Sequence, residues 1–303
     1  MNVGASVRSG FLIRCTDFSV DTEFLYKQLV DRFGAGSVMP VVDLLGKSKG
    51  EGEEIRNQFP CEILEIDSAF IRNAGLHEFA DITGWLCGDY VFYRAFRELD
   101  WDFAWSVEPD LHFFNGALDI IEEVDRSDGD LIGYCHRRMD KNWWWWARLK
   151  KSWPEADVSM VAFPLVRLSR DLALASMERR RIFTPHVHAG ALAPNDESIV
   201  ASTAQENRFS VVNLRDKYRS AFDWWGTDVK YSLDGLSEMV STPQVAHSVV
   251  RKERLFPWLD SQWRAIKKGN VSRIANFEKS ISTLTAGELR EYVLHLASLE
   301  SVQ

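Results

Sequence analysis

Residues 99–114, LDWDFAWSVEPDLHFF, contain the strand on which the predicted fold is built. Residues 101–107 are rich in aromatic and β-favouring side chains, as in a strand buried on both faces. This strand runs into Glu108-Pro109-Asp110, where proline removes a backbone donor and ends regular pairing. Open α/β sheets bind ligands at the carboxyl ends of their strands. Two carboxylates at such an end favour a hard divalent cation, although a solvated turn would also follow a strand in this way.

Strand and helix patterns alternate on both sides of this segment. The strand patterns occupy residues 9–16, 37–45, 61–66, 130–134 and 158–168. The helix patterns occupy residues 21–33 (capped by Asp21 or Thr22), 89–99, 117–124, 171–181 and 195–204. Such alternation indicates parallel βαβ units, so we expect an α/β fold with a mostly parallel mixed sheet flanked by helices. Residues 46–52, GKSKGEG, lack the spacing of a phosphate loop and are expected to form a polar loop.

The C-terminal part of the chain differs from the rest in its pattern. From residue 267 onward the sequence is charged and mostly helical, with apolar residues at helical spacing. We therefore predict two parts, a domain of residues 1–262 and a C-terminal helical extension of residues 263–303. The extension is the segment expected to mediate any homo-oligomer.

The composition limits the classes of function. The chain has 303 residues, 46% of them hydrophobic, and a formal net charge of −8, which disfavours general nucleic-acid binding. The four cysteines show no CxxC spacing, and no apolar run reaches the length of a membrane span. We expect a cytoplasmic protein. Peripheral association with the inner face of a membrane stays open through the short basic clusters at residues 179–181 and 267–268.

Four consecutive tryptophans at residues 143–146 follow a basic turn that contains Arg137, Arg138 and Lys141. Because a continuous run covers both faces of a strand or all sides of a helix, at least one ring should be exposed. Flat indole faces pack on sugar rings, and core packing is the alternative explanation for each ring. The candidates for a sugar-binding surface are Trp143, Trp144, Trp145, Trp224 and Trp225. The basic turn could meet phosphate or an acidic acceptor, or remain a solvated turn.

The order of several segments resembles the GT-A class of nucleotide-sugar glycosyltransferases, in a bacterial polysaccharide or lipopolysaccharide form. These segments are GDYVFYRAFREL (88–99), DFAWSVEPDLHF (102–113), the tryptophan run, FPLVRLSRDL (163–172), NDESIVAST (195–203) and VAHSVV (245–250). The resemblance implies a GT-A-like, Rossmann-like domain. It also implies a hexosyltransferase-like enzyme that moves a sugar from a nucleotide-diphosphate-sugar to a hydroxyl of a glycan or glycolipid acceptor.

The resemblance also implies a metal site. In that class a strand ends in an Asp-x-Asp-like motif that holds Mn²⁺ or Mg²⁺ against the donor diphosphate, and this chain has Glu108-Pro109-Asp110 there. Asp110 is the expected direct ligand, with Glu108 reaching the metal or the ribose through water. His247 resembles the late histidine that completes the metal shell. The departure from Asp-x-Asp keeps an alternative open, a non-catalytic carbohydrate- or partner-binding protein that retains the fold.

The remaining site residues follow from the same resemblance. Asp196 or Glu197 would act as the base if the reaction inverts the anomeric centre, although acids at a helix start are also explained by capping and the helix dipole. Candidates for donor binding are Arg14, Thr16, Asp17, Asp67, Asp89, Arg94 and Glu108. A metal-dependent phosphohydrolase or nucleotidyltransferase is disfavoured because the sequence has no GxGxxG or GxxxxGK[ST] motif.

Overall fold

The computed structural model describes residues 8–79, 82–188 and 193–300. The strands are β1 (Ser9–Cys15), β2 (Val38–Asp43), β3 (Leu64–Ile66), β4 (Phe103–Val107), β5 (His112–Phe114), β6 (Leu131–Arg138), β7 (Ser159–Ser169), β8 (Val211–Asn213), β9 (Tyr231–Ser232), β10 (Gln244–Ala246) and β11 (Val249–Val250). The helices are α1 (Val20–Phe33), α2 (Lys49–Arg56), α3 (Ser68–Asn73), α4 (Thr83–Leu86), α5 (Tyr90–Glu98), α6 (Ala117–Asp125), α7 (Trp146–Ser152), α8 (Arg170–His188), α9 (Asp196–Glu206), α10 (Leu214–Lys217), α11 (Leu233–Met239), α12 (Lys252–Lys267), α13 (Ile274–Ile281) and α14 (Ala286–Glu300).

The chain divides into two compact units. The first is drawn from residues 1–109 and 125–217, and the second from residues 110–124 and 218–303. The domain boundary predicted after residue 262 falls within α12 of the second unit and stays a prediction.

A seven-stranded mixed sheet forms the centre of the first unit, in the order β3-β2-β1-β4-β7-β6-β8. Strand β7 runs antiparallel to β4 and β6, and the other neighbouring pairs are parallel. Helices α1, α5, α8 and α9 pack against these strands. The predicted mostly parallel mixed sheet flanked by helices is therefore confirmed.

Strand β4 lies in the middle of this sheet, as its apolar sequence predicts. Its Trp105 is fully buried, and the indole Nε1 donates a hydrogen bond of 2.8 Å to Asp125 Oδ1. On the neighbouring β1, a Cβ added to Gly10 would lie 2.4 Å from the Trp101 ring, so only glycine lets that ring pack against the strand. The strand that carries Glu108 at its end is thus fixed by burial on both faces.

Two local predictions are wrong. Residues 49–52 belong to helix α2 instead of a polar loop, because Ser48 and Glu51 form a reciprocal capping box at its start. Helix α1 is capped by Ser19, whose side chain accepts a hydrogen bond from the Thr22 N–H, and neither Asp21 nor Thr22 is the cap. In both cases a serine in front of the charged residues satisfies the free backbone donors of the first turn.

The second unit contains two short strand pairs and helices α11 to α14. Strand β10 pairs antiparallel with β5, and β11 pairs parallel with β9. Leu255, Leu259 and Tyr292 form part of its core between α12 and α14, which confirms the predicted C-terminal helices. Within residues 8–79, 82–188 and 193–300, no helix has both the length and the hydropathy to cross a membrane.

Candidate active site

Strand pairing in the second unit brings Asp110 and His247 together. Ala246 of β10 is paired with His112 of β5, and the Val249 N–H donates a 2.8 Å hydrogen bond to the Asp110 carbonyl. His247 and Ser248 form the short connection between β10 and β11. Two residues far apart in the sequence therefore meet because the strands beside them are hydrogen-bonded.

The His247 ring is held in one orientation. Its Nδ1 lies 2.8 Å from the Gly226 carbonyl oxygen, its Nε2 lies 3.5 Å from Asp110 Oδ1, and the ring packs 5.2 Å from that of Trp225. A carbonyl oxygen can only accept, so Nδ1 carries the proton. Nε2 then faces the Asp110 carboxylate in one of two forms. As the imidazolium it donates to the carboxylate and forms an ion pair, and as the neutral imidazole it presents a lone pair that a shared cation would stabilise.

The Asp110 carboxylate is surrounded by donors from the same unit. The Ser248 hydroxyl donates to Asp110 Oδ2, and Lys230 Nζ donates to the Ser248 oxygen at 3.3 Å. Burial acts to raise the pKa of Asp110, but hydrogen bonds from His247 and Ser248, with the positive charges of His247 and Lys230, lower that pKa below its ordinary value. Asp110 is thus an ionised carboxylate at neutral pH.

This donor set fits a divalent cation. Asp110 offers an ionised carboxylate oxygen, and His247 offers an imidazole nitrogen. Because the other ring nitrogen of His247 is hydrogen-bonded to a backbone carbonyl, the ring is held in the orientation that is common for metal-binding histidines. His247 is 6% exposed, so the pair is largely shielded from competing water. Asp110 and His247 are the residues that could hold the metal predicted from the sequence.

The acids of the first unit form a cluster around Arg14. Its guanidinium makes an ion pair with Glu108 and lies 3.2 Å from Asp196 Oδ2. Asp196 also accepts the Gly88 N–H at 3.0 Å and the Glu197 N–H at 2.8 Å. A Cβ on Gly88 would lie 1.6 Å from Arg14 Nη1, so glycine is required for this close approach. The predicted role of Glu108 at the metal stays a prediction.

Asp196 and Glu197 begin helix α9, which Asn195 caps by accepting the Ser198 N–H at 3.1 Å. Burial raises the pKa of Asp196 to about 7, against the opposing charge of Arg14. Burial also raises the pKa of Glu197 to about 8, and the negative charge of Asp196 adds to that shift. Both acids therefore ionise near neutral pH, and the negative charge of one disfavours ionisation of the other. A pKa in this range suits a general base.

Arg180 and Asp89 form a buried ion pair in the same unit. Arg180 of α8 donates to both oxygens of Asp89 at 2.8 and 2.7 Å, and to the Pro194 carbonyl at 2.8 Å. Asp89 is 0% exposed and also accepts the Tyr93 hydroxyl at 2.6 Å. The pair therefore ties the start of α5 to the segment that leads into α9.

Four other residues predicted to bind the donor, Thr16, Asp17, Asp67 and Arg94, lie in other surroundings than the Arg14 cluster. Thr16 and Asp17 are exposed, and Asp17 accepts the Ser19 N–H at 3.1 Å. Asp67 caps α3 by accepting the Phe70 N–H at 2.6 Å, and Arg94 pairs with Glu98 at 3.2 Å. Their role in donor binding stays a prediction.

The predicted tryptophans lie in different surroundings. Trp144 is 68% exposed, which confirms that at least one ring of the run faces solvent. Trp145 is buried, and Trp143 packs against the cores of the first unit. In the second unit, Trp224 packs edge-on against Tyr231 at 5.6 Å, and Trp225 packs against His247. Acceptor binding by these five residues stays a prediction.

Sequence reasoning missed several residues of these clusters. Arg180 was hidden in a run of three arginines, and Ser248 carried no signal except its position beside His247. Trp85, which is 65% exposed on α4 and lies 5.5 Å from Trp145, was also missed. None of these residues belongs to a local motif, because their roles arise from contacts between distant segments.

Comparison with known proteins gives structural matches only. No family model and no curated protein matches the sequence. A galactosyltransferase, LgtC, in complex with donor and acceptor sugar analogues matches with 11% identity over 77% of this chain and 78% of that chain, at a TM-score of 0.38. A mannosyltransferase from Pyrobaculum calidifontis in complex with GDP-Man and Mn²⁺ matches with 11% identity over 99% of this chain and 77% of that chain, at 0.37.

The matches also include a different class of transferase. The inositol-1-phosphate CTP transferase from T. maritima matches with 8% identity over 66% of this chain and 98% of that chain, at a TM-score of 0.32. Glycosyltransferases, the class that the sequence motifs resemble, are thus among the matched structures. At these TM-scores the overlays carry no inference about activity, which has to come from the residues of this chain.

Proposed function

We propose that this protein is a glycosyltransferase that moves a sugar from a nucleotide-diphosphate-sugar donor to a hydroxyl of a glycan or glycolipid, with a divalent cation held by Asp110 and His247. A hexosyl donor and a role in polysaccharide biosynthesis in the cytoplasm belong to the same proposal. The alternative is a carbohydrate- or partner-binding protein without catalysis.

One observation carries this proposal. The resemblance to GT-A glycosyltransferases implies one metal site for residues 108–110 and His247, and Asp110 Oδ1 and His247 Nε2 lie 3.5 Å apart. Nε2 faces that carboxylate, where it could ligate a cation as the neutral imidazole or form an ion pair as the imidazolium, and the Mn²⁺ dependence tested below separates the two. The Gly226 carbonyl, which fixes the proton on Nδ1, gives the ring the tautomer that a metal ligand needs.

The chemical need for the cation arises at the leaving group. A bound Mn²⁺ or Mg²⁺ would neutralise the negative charge that develops on the departing diphosphate. Asp110 and His247 would hold it, with Ser248 and Lys230 keeping the Asp110 carboxylate ionised and oriented. Trp225 packs on the His247 ring and would limit its rotation. Glu108 would reach the metal or the ribose through water, as predicted from the sequence.

The acceptor must lose a proton as it attacks. In an inverting reaction the acceptor oxygen bonds to the anomeric carbon, the bond from that carbon to the diphosphate breaks, and a carboxylate takes the hydroxyl proton. Asp196 and Glu197 suit this step because their pKa values of about 7 and about 8 lie close to neutral pH. Arg14 contacts Asp196 and would hold it in place. The choice between the two acids, and between inversion and retention, stays open.

The test is a thermal-shift screen of UDP-, GDP-, CMP- and dTDP-sugars with and without Mn²⁺. A ligand that binds only the native state stabilises it by mass action and so raises the melting temperature. At a ligand concentration one hundred times the dissociation constant, the free energy of unfolding rises by about 2.7 kcal/mol. We expect one nucleotide class to stabilise the protein only with Mn²⁺, and His247→Ala to abolish that shift. His295→Ala is the matched control, because His295 also pairs with an aspartate, Asp260, at 2.8 Å in the same unit.

The outcomes separate the alternatives. Stabilisation by Mn²⁺ and a nucleotide-sugar without sugar transfer to any acceptor would favour the non-catalytic binding protein. The same Mn²⁺-dependent shift in wild type and His247→Ala would refute the metal site. A shift produced by CTP and not by any nucleotide-sugar would indicate a nucleotidyltransferase.

A further inference from the structure

The first unit has an exposed aromatic surface that the proposed chemistry does not use. We call it the tryptophan patch, and it consists of Ile82, Trp85, Trp144, Trp145 and Arg148. Trp85 and Trp144 are 65% and 68% exposed, and Ile82, near the start of α4, is 46% exposed. The buried Trp145 ring packs against both indoles, with its centre 5.5 Å from that of Trp85 and 6.4 Å from that of Trp144. Two exposed indoles that both pack on a buried third ring are a candidate interaction surface.

The segment that carries Trp144, Trp145 and Arg148 is basic. Residues 137–151, RRMDKNWWWWARLKK, contain six arginines and lysines and one aspartate, a formal charge of +5 in a chain whose net charge is −8. Lys141 and Lys151 are exposed, and Lys151 lies three residues after Arg148 on helix α7, on the same side of the helix. Arg138 pairs with Asp157, so part of this charge is offset locally. The remaining cations are complementary to an anionic partner.

We propose that the tryptophan patch docks this protein on an anionic lipid bilayer. Indole rings prefer the interface between headgroups and acyl chains, where the ring is apolar on its faces and donates a hydrogen bond at its edge. Lysines and arginines beside them are attracted to acidic headgroups, each strengthening binding about fivefold. Tryptophans with flanking cations are the combination that peripheral membrane-binding segments use.

A sugar platform, the role predicted for Trp144 and Trp145 from the sequence, fits this surface less well. The Arg148 guanidinium lies 4.9 Å from the Trp144 ring centre and 4.6 Å from that of Trp145, so it covers a face that a sugar ring would need. A neutral sugar also gains nothing from the positive charge of residues 137–151. In a bilayer the same arginine can remain over the rings and meet a lipid phosphate. The proposal is independent of the transferase activity and goes beyond it.

The experiment is co-sedimentation of the full chain with vesicles. We expect binding to vesicles of equal parts phosphatidylcholine and phosphatidylglycerol to exceed binding to pure phosphatidylcholine by about tenfold or more, and to weaken with salt. The double variant Trp85→Ala/Trp144→Ala should lose about tenfold in partitioning, because the inserted apolar surface is removed. Lys141→Glu/Lys151→Glu should lose at least as much and does not depend on replacing large side chains.

The matched control is Lys47→Glu/Lys49→Glu, which reverses two exposed lysines of the same unit that are not part of the patch. It should bind the anionic vesicles like wild type. The proposal is overturned if the wild-type chain does not sediment with anionic vesicles, if both patch variants bind as wild type does, or if the control loses binding equally. The alternative result is a change in the tryptophan fluorescence of the wild type on adding a soluble oligosaccharide, with no such change in Trp85→Ala/Trp144→Ala. That result, in a protein that binds no vesicles, would assign the surface to carbohydrate.

Discussion

Replacing Asp196 by asparagine tests whether burial controls the charge of this acid. Asp196 is 4% exposed, and burial raises its pKa from 3.8 to about 7, although Arg14 and two backbone N–H groups favour the ionised form. A shift of about three pKa units corresponds to about 4 kcal/mol. The folded protein binds this proton more tightly than the unfolded chain does. The stability from protonated Asp196 is therefore complete below about pH 4 and is lost as the pH rises through about 7.

The assay is urea unfolding at a series of pH values for wild type and Asp196→Asn. An amide cannot ionise, so we expect wild type to lose about 4 kcal/mol more than the variant between about pH 4 and pH 8. The comparison uses the slope with pH, because the amide also changes the contact with Arg14 at every pH. Glu206→Gln, an exposed position at the other end of α9, is the control and should follow wild type.

Parallel curves for wild type and Asp196→Asn would refute this reasoning. A steeper rise of wild-type stability with pH would have a definite meaning as well. It would show that hydrogen bonds from Arg14, Gly88 and the Glu197 N–H outweigh burial, so that Asp196 is ionised throughout.

Three further predictions concern the same two units. If Asp196 or Glu197 is the base, turnover should rise with pH in a pH–rate profile, with its midpoint near pH 7 for Asp196 or near pH 8 for Glu197, and a flat profile would exclude both. Arg180→Met leaves the buried Asp89 without its ion pair and should cost about 3–5 kcal/mol in urea unfolding, with part recovered when Asp89→Asn is added; a loss under about 1 kcal/mol would contradict this. Gly235→Ala places a Cβ 1.5 Å from the Thr283 carbonyl oxygen and should lower the melting temperature strongly, whereas Gly50→Ala, in open space on helix α2, should leave it unchanged or raise it slightly.

The local patterns predicted much of the fold. The apolar, β-favouring run before Glu108 predicted β4, and the alternation of elements predicted a mostly parallel sheet, because both depend on neighbouring residues in the chain. Helix α9 begins at Asp196, one of the two predicted starts, and Asn195 caps it. The capping box of α2 is equally local, but the three glycines and three charged residues of the 46–52 segment favour a loop and conceal the Ser48 and Glu51 signal.

The sequence by itself determined which residues are candidates, namely two acids after a buried strand, an acidic pair at a helix start and a run of tryptophans. Only the tertiary structure decided which of them meet. His247 lies beside Asp110 because β10 pairs with β5, and Arg180 reaches Asp89 because α8 packs on α5. It also decided that Trp144 is exposed while Trp145 is buried. Hydrophobic periodicity and capping act within a few residues, whereas strand pairing and buried ion pairs join positions that the chain order keeps far apart.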